Sequence, residues 1–253
     1  MTDNALKRIR KAGIAIVSAV SRRGVNEDRF RDVAAFAGTL APTDRILMTD
    51  VRDVVVQLSI HQILDSLLAE RPLACAGEGE LYGDSPWNLE NIKANFPDRV
   101  DEISRMEVFC AGVLAGQAKP FAAFAQAIWR QSIEALGFNG DQIAMNMVVR
   151  SDAFRDQTAL FPAGNPHICH FGNLSGPDKV ARRTHLKLEK GSLSDLHASR
   201  PVGVFHQYTR DKATRNATLM ANGALRDFYL GKLITSLQQK VGLYPNWKPY
   251  WKS

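Results

Sequence analysis

Several features that define specialised protein classes are missing from this 253-residue sequence. It contains three widely spaced cysteines, Cys75, Cys110 and Cys169, and no CxxC pair. The spacing indicates neither a disulfide framework nor a zinc site, and it favours buried cysteines in a reducing compartment. No apolar run approaches the roughly 20 residues that a membrane span needs. The chain also lacks internal repeats and low-complexity segments, so its features are those of an ordinary globular protein.

The composition is that of a folded, basic protein. Hydrophobic residues make up 45% of the chain, and the formal net charge is +6. The hydrophobic fraction allows a sizeable core. The positive net charge favours anionic partners such as nucleic acid, lipid headgroups or phosphorylated small molecules. Because no stretch rich in proline, glycine or serine divides the chain, we expect a single domain over residues 1–253, with a core over residues 1–150 and a C-terminal lobe over residues 151–253.

Apolar runs alternate with helical patterns along the chain, which is typical of an α/β domain. Short apolar runs predict strands over residues 12–20, 46–51, 72–78, 108–116, 158–164, 167–171 and 202–208. Amphipathic patterns predict helices over residues 27–40, 59–70, 119–137, 140–150 and 216–241. Ser85 followed by Pro86 is typical of a further helix start. The run over residues 12–20 follows a basic start, and we interpret it as a buried strand rather than a secretion signal.

Two carboxylates stand where one predicted strand ends. The stretch ILMTDVRDVVVQ, residues 46–57, places Asp50 and Asp53 three positions apart. Because ligands bind outside the carboxyl ends of strands in open α/β sheets, both carboxylates are expected to face one cavity. Carboxylate oxygens suit Mg²⁺ or Mn²⁺, which keep coordination positions for water and phosphate. The alternative is that Asp50 caps a turn while Arg52 and Asp53 form surface ion pairs that contribute little.

Four segments resemble, in the right order, motifs of GT-A type glycosyltransferases. The DVRDVVVQ stretch is similar to a variant of the family's Asp-x-Asp metal motif. The segment FCAGVLAG, residues 109–116, resembles a strand with small residues in the pattern N/S-(A/S)-G-x-x-x-G. GFNGDQIAMN, residues 137–146, resembles the G-x-D-Q-x-x-x-N helix start, and VGVFHQYTR, residues 202–210, resembles a late H-Q-Y-D-R segment. The resemblance implies a Rossmann-like mixed central sheet flanked by helices, with a C-terminal lobe that completes the site.

Carried over by position, the resemblance assigns metal binding to three residues: Asp50, Asp53 and His206. His206 arrives from the C-terminal lobe. Its second ring nitrogen needs an orienting partner, which the sequence does not identify. A hydrogen-bonded buried histidine is the alternative interpretation.

The resemblance also assigns residues to the donor and the acceptor. The small residues of the strand are expected to line the sugar pocket, and the first residues of the following helix are expected to contact sugar hydroxyls or to position the acceptor. The residues concerned are Ala111, Gly112 and Gly116 for the pocket, Asp141 and Gln142 as catalytic residues, Arg52 for phosphate or for pairing with Asp141, and Glu78 for an acceptor contact. The alternatives are close packing for the small residues and helix capping for Asp141.

A second histidine pair, His167 and His170, precedes a segment with a faint similarity to the H-F-x-G-x-x-K-P pattern of a related retaining branch, where Lys179 would contact phosphate. Residues three apart on a strand point to opposite faces. We therefore expect structural roles for these histidines rather than joint metal binding.

The resemblance implies a metal-dependent glycosyltransferase of polysaccharide biosynthesis. Its cofactor would be Mn²⁺ or Mg²⁺, its donor a UDP- or GDP-sugar, and its acceptor a hydroxyl of a glycan or lipid-linked sugar. We expect a cytoplasmic protein without a nucleic-acid partner, and peripheral contact with the inner membrane face through its basic, aromatic C-terminal residues. The alternatives are a nucleic-acid-binding protein and a degenerate relative without catalysis. The second is suggested by Thr209, which replaces the family's Asp, and by the lack of a base-binding strand before residue 12.

Overall fold

The structure is a computed structural model that describes residues 7–221, with gaps. The residues left out are 1–6, 8, 9, 12, 14, 18, 23, 52, 138, 172–185, 190, 191, 211 and 222–253. The predictions for Arg52, Lys179 and the helix beyond residue 221 therefore lie outside the described residues, as does most of the basic C-terminal part.

The described chain contains both strands and helices. The strands are β1 (Arg45–Thr49), β2 (Val54–Val56), β3 (Leu73–Leu81), β4 (Glu107–Gln117), β5 (Thr158–Phe161), β6 (Ile168–His170), β7 (Leu186–Glu189), β8 (Ser192–Asp195), β9 (Arg200–Pro201) and β10 (Val204–His206). The helices are α1 (Val25–Ala37), α2 (Ile60–Leu67), α3 (Pro86–Asn95), α4 (Val100–Ile103), α5 (Ala118–Ser132), α6 (Asp141–Val149) and α7 (Lys212–Ala221).

The strands form a central sheet and two smaller sheets. The central sheet has the order β1-β4-β3-β5, in which β4 is antiparallel to β1 and β3, and β5 is parallel to β3. The second sheet has the order β2-β10-β6, and the third has the order β7-β8-β9. The side-chain amide of Gln57 joins the last two sheets, because it donates to the carbonyls of Leu193 and Val202. The predicted α/β class with a mixed, helix-flanked sheet is confirmed.

The alternation of β3 explains how the central sheet is covered on both faces. Leu73 and Cys75 belong to a core shared with α1, α5 and α6, whereas Ala74 and Ala76 belong to a core shared with α2 and the second sheet. Strand residues alternate between faces, so one apolar run serves both cores. Each large side chain buried in this way contributes about 1.5–3 kcal/mol.

Local sequence signals account for two of the helix starts. Ser59 and Gln62 form a reciprocal capping box at the start of α2. The Ser85 hydroxyl accepts a hydrogen bond from the Asn88 amide at the start of α3, and Pro86 occupies the first helical position, as predicted. These contacts satisfy backbone donors that a helix leaves free at its first turn.

The predicted strand over residues 12–20 is wrong for the residues that the structure describes there. None of them lies in a strand, and Val17 and Val20 are 74% and 76% exposed. A strand needs a partner with free backbone groups, and β1 pairs with β4 alone in the described part of the chain. Among the described helices, none combines the length and hydropathy required to cross a bilayer.

Candidate metal centre

The loop between β1 and β2 carries Asp50 and Asp53 from the central sheet to the second sheet. The Asp50 amide donates to the Gly112 carbonyl on β4 at 2.7 Å. At the other end of the loop, the Asp53 carbonyl accepts from the Gln207 amide, just after β10, at 2.8 Å. The two backbone bonds hold the carboxylates between a strand from the middle of the chain and a strand from its C-terminal part.

The structure brings together the three residues that were predicted to be metal ligands. The His206 Nε2 atom lies 3.4 Å from Asp50 Oδ2 and 3.6 Å from Asp53 Oδ1. One ligand atom from each residue lies within 4.8 Å of the others. His206 is buried at the end of β10, whereas both carboxylates are partly exposed. Two hard carboxylates and one imidazole, open on one side, fit Mg²⁺ or Mn²⁺.

Gly112 makes the close approach of these side chains feasible. A Cβ atom at this position would lie 2.8 Å from Asp50 Oδ2 and nearer still to His206 Cε1. Real Cβ atoms do not tolerate such contacts, so any side chain would push Asp50 and His206 apart. Glycine is therefore needed at position 112 because a larger side chain has no room there, and not because of backbone flexibility.

We expect Gly112→Ala to weaken Mn²⁺ binding by at least about 10-fold, because the ligand atoms must separate. Isothermal titration with Mn²⁺ measures the change. Gly38→Ala is the matched control, since Gly38 ends α1 with a φ of −65° and its added Cβ would meet the Ala35 carbonyl at an ordinary 3.4 Å. Equal Mn²⁺ affinity in Gly112→Ala and wild type would contradict this role of Gly112.

Arg29 of α1 bridges two carboxylates of the site, and sequence reasoning missed it. Its Nη1 donates to Asp50 Oδ1 at 2.5 Å, and its Nη2 donates to Asp141 Oδ2 at 2.8 Å. Burial opposes ionisation of Asp50, but hydrogen bonding with His206 and the charge of Arg29 outweigh it and lower the pKa of the carboxyl. The partner proposed for Asp141 was Arg52, a residue that the structure does not describe. Among the described residues, the cation that pairs with Asp141 is Arg29, which lies on a helix 112 positions earlier in the chain.

The start of α6 lies against the middle of β4. Gly140 is the N-cap residue and Asp141 the first residue of the helix, so the interpretation of Asp141 as an N-cap is wrong. Gln142 Oε1 accepts from the Ala111 amide at 3.4 Å. One turn later, the buried Asn146 amide accepts from the Phe109 amide at 2.9 Å and donates to the Phe109 carbonyl at 2.7 Å. These bonds satisfy backbone groups in the part of β4 that β1 does not pair, since the register of β1 with β4 ends at Val113.

The strand β4 bulges at this point. Cys75 of β3 pairs with Leu114, whereas Gly77 pairs with Phe109, so β4 advances five residues while β3 advances two. Bulges disrupt the ladder locally and re-aim side chains, and they are frequent beside active sites. The bulge contains Cys110, Ala111 and Gly112.

Two of the predicted pocket residues do not face the pocket. The Ala111 side chain is buried in the core that α1, α5 and α6 share with the central sheet. A Cβ on Gly116 would meet Phe121 and Leu73, so this glycine accommodates core packing. The pattern of small residues indicated limited space. At Ala111 and Gly116 that space is limited by apolar side chains of the core. Neither residue is among those that line the cavity, and their assignment to the sugar pocket stays a prediction.

The second nitrogen of His206 faces two further side chains. Its Nδ1 lies 3.1 Å from His170 Nδ1 and 3.5 Å from Cys110 Sγ. Burial and then the neighbouring His206 lower the pKa of His170 well below its usual value, so this ring is neutral. His170 and His206 are direct partners in the parallel pairing of β6 with β10. His167, in contrast, lies beside Phe161 and Arg200, so the two histidines of that segment are separated as expected.

A cavity of about 270 Å³ opens beside the carboxylates. Most of its lining is polar, and it includes Asn26, Arg29, Asp50, Glu78, Tyr82, Trp87, Asn88, Asn91, Cys110, Gly112, Asn139, Asp141, Gln142, Ile143, His206, Gln207 and Arg210. Glu78, the predicted acceptor contact, is thus in the lining. Trp87 is 45% exposed, although tryptophan is usually well covered.

Two lining side chains have polar atoms that could serve a ligand. The buried Tyr82 hydroxyl and Gln207 Oε1 have no hydrogen-bond partner within the described part of the chain. Gln207 also has a φ of 60°, in the left-handed region. Such backbone strain costs about 1–3 kcal/mol and concentrates at functional sites.

Comparisons with known proteins assign no family. No protein-family model and no curated protein matches the chain. A solved structure of the galactosyltransferase LgtC, in complex with donor and acceptor sugar analogs, is similar at 17% identity with a TM-score of 0.41. The match covers 77% of this chain and 66% of that chain, just under two thirds of its length. A similarity of this extent carries no conclusion on activity, which must be inferred from the site.

Proposed function

We propose that the chain is a metal-dependent glycosyltransferase that transfers a sugar from a UDP- or GDP-sugar to a hydroxyl of a glycan or lipid-linked acceptor. The observation that supports it is the meeting of Asp50, Asp53 and His206 around one point beside a polar cavity. The order of the four GT-A-like sequence motifs gives independent support. The cytoplasmic location, the peripheral membrane contact and the division at residue 150 stay predictions.

The proposal assigns each side chain a distinct task. A bound Mn²⁺ or Mg²⁺ would neutralise the donor diphosphate and make it a better leaving group. Asp50, Asp53 and the Nε2 atom of His206 would hold the cation. Arg29 fixes the orientation of Asp50 through its short ion pair.

The acceptor side of the cavity is formed by other elements. The carboxylates of Glu78 and Asp141 both line it, and Gln142 stands beside them at the start of α6. A carboxylate in this position could accept a proton from the acceptor hydroxyl. The amides of Asn88 and Asn91 offer donors and acceptors that suit sugar hydroxyls.

Thermal unfolding with added nucleotides tests the donor class. In the presence of Mn²⁺, UDP or GDP at 100 times its Kd should stabilise the protein by about 2.7 kcal/mol. For a chain of this length, that corresponds to an increase in Tm of about 5–10 °C. Because the cation links the phosphates to the protein, the increase should disappear with a chelator.

Thermal unfolding separates one alternative, and an assay of sugar release from the donor separates the other. A nucleic-acid-binding protein would be stabilised by an oligonucleotide without metal, and increasing salt would weaken the effect. A degenerate relative would bind the nucleotide but release no sugar from the donor. Equal effects of the nucleotides with Mn²⁺ and with a chelator would contradict the proposed function.

A further inference from the structure

The inner side of His206 has the composition of a second cation site, with ligands of a different chemical class. Cys110 Sγ, His170 and His206 each offer one ligand atom, and these atoms lie within 4.8 Å of one another. All three residues are buried. Thiolate and imidazole ligands suit borderline and soft cations such as Zn²⁺ and Cd²⁺, whereas the carboxylates on the outer side suit Mg²⁺ and Mn²⁺.

Two of the three separations fit coordination closely, and the third, between Cys110 and His170, is within 4.8 Å. Tetrahedral zinc with nitrogen and sulfur ligands separates these atoms by about 3.3–3.8 Å, given the usual bond lengths. The observed separations from His206 Nδ1 are 3.1 Å to His170 Nδ1 and 3.5 Å to Cys110 Sγ. Both values lie within a few tenths of an ångström of what the cation needs.

The backbone holds the three side chains in place. His170 and His206 are paired on neighbouring parallel strands, so both rings project from the same face of the second sheet. Cys110 lies in the bulge of β4, where the ladder to β3 is interrupted. Cys110 and His206 also line the cavity, which gives a cation a route to the site.

We propose that Cys110, His170 and the Nδ1 atom of His206 bind a thiophilic divalent cation, and that this cation competes with the metal at Asp50 and Asp53. The competition follows from the chemistry of imidazole. A neutral ring has one lone pair available for a metal, at Nδ1 or at Nε2, and its other nitrogen carries the proton. A cation on Nδ1 therefore leaves a protonated Nε2 that cannot act as a ligand for the outer metal.

Each proton that moves when the inner cation replaces the outer one can be accounted for. When the inner cation binds, the Cys110 thiol releases its proton to the solvent as the metal–sulfur bond forms. The proton on Nδ1 of His206 is lost, and Nε2 carries the ring proton instead. The outer site would then lose Nε2 as a ligand and keep only the carboxylates of Asp50 and Asp53, which would hold a metal more weakly.

Cd²⁺ is the probe, because its bond to a thiolate has a characteristic ultraviolet charge-transfer absorption. Tag-free, full-length protein is titrated with CdCl₂ in buffer without chelator or thiol reductant. We expect one equivalent to produce the absorption in wild type and no absorption in Cys110→Ser or Cys110→Ala. Cys75→Ser is the matched control. Cys75 is also a buried thiol of the central sheet but belongs to the core against α1, α5 and α6, so this variant should titrate like wild type.

A second variant keeps the test valid if the Cys110 variants do not fold. His170→Gln retains the thiol but removes one ligand, and we expect the affinity for Cd²⁺ to fall by at least about 10-fold. The proposed site would be wrong if wild type showed no thiolate absorption. It would also be wrong if the Cd²⁺ titration were unchanged in the Cys110 variants or in His170→Gln.

Electron paramagnetic resonance tests the competition, because free Mn²⁺ has a strong solution signal. One equivalent of Cd²⁺ should release Mn²⁺ from wild type, and the presence of both cations on one chain would overturn mutual exclusion. Asp53→Asn distinguishes this proposal from the proposed function. It should lose Mn²⁺ binding and retain the Cd²⁺ absorption, because Asp53 does not belong to the inner site.

Discussion

Asp53→Asn should reduce metal-dependent hydrolysis of the sugar donor by at least about 100-fold without unfolding the protein. The amide oxygen is neutral and is a much poorer ligand for Mn²⁺ than a carboxylate oxygen. The protein should stay folded, because the backbone carbonyl of Asp53 keeps its hydrogen bond to the Gln207 amide. The side chain itself is 25% exposed.

A screen of UDP- and GDP-sugars with Mn²⁺ measures this effect as released nucleotide. Asp152→Asn is the matched control, because it removes the same charge from a side chain that is 95% exposed. Urea unfolding of the metal-free proteins shows whether the variants fold equally well. Equal turnover in Asp53→Asn and wild type would exclude a ligand role for Asp53.

Arg29→Met should destabilise the metal-free protein by about 3 kcal/mol, since breaking a buried ion pair leaves uncompensated charge. The Arg29 side chain is 22% exposed and the Asp141 side chain 7% exposed. Methionine retains much of the volume, so the loss reports the charge rather than a cavity. Urea unfolding at neutral pH measures the change.

The response to Mn²⁺ distinguishes this network from an ordinary structural ion pair. A cation at Asp50 supplies some of the positive charge that Arg29 provided, so Mn²⁺ should recover part of the lost stability. Arg155→Met is the control. Arg155 is 60% exposed and pairs with Asp152 at 3.4 Å, so its loss should cost less than about 1 kcal/mol. A loss that small in Arg29→Met would refute the proposed bridge.

The periodicity of apolar residues and the helix-capping residues predicted most of the helices and strands, because both patterns depend on residues close in sequence. Phe30 and Ala37 are buried on one face of α1, as the helical spacing requires. Ser59 and Ser85 cap the helices that follow them. The run over residues 12–20 shows the limit of this approach, since an apolar run predicts a strand only if another strand is there to pair with it.

Parts of the site could also be predicted. Asp50 and Asp53 stand at the end of an apolar run, and the motif order placed His206 with them. Their neighbours could not be predicted in this way. Arg29 contacts Asp141 across 112 positions, and Cys110 contacts His206 across 96 positions. Spacing rules for metal sites compare residues close in sequence, so they did not detect the Cys110 group.

The sequence by itself determined most of the elements, two helix caps and the pair of carboxylates at the end of β1, because local backbone preferences and alternation of apolar residues are sufficient for these. Only the tertiary structure decided which cation pairs with Asp141, where the bulge in β4 falls, and which side chains face the two nitrogens of His206. Those outcomes depend on strand pairing between distant segments. A shift of one residue in that pairing would turn the side chains to the opposite face.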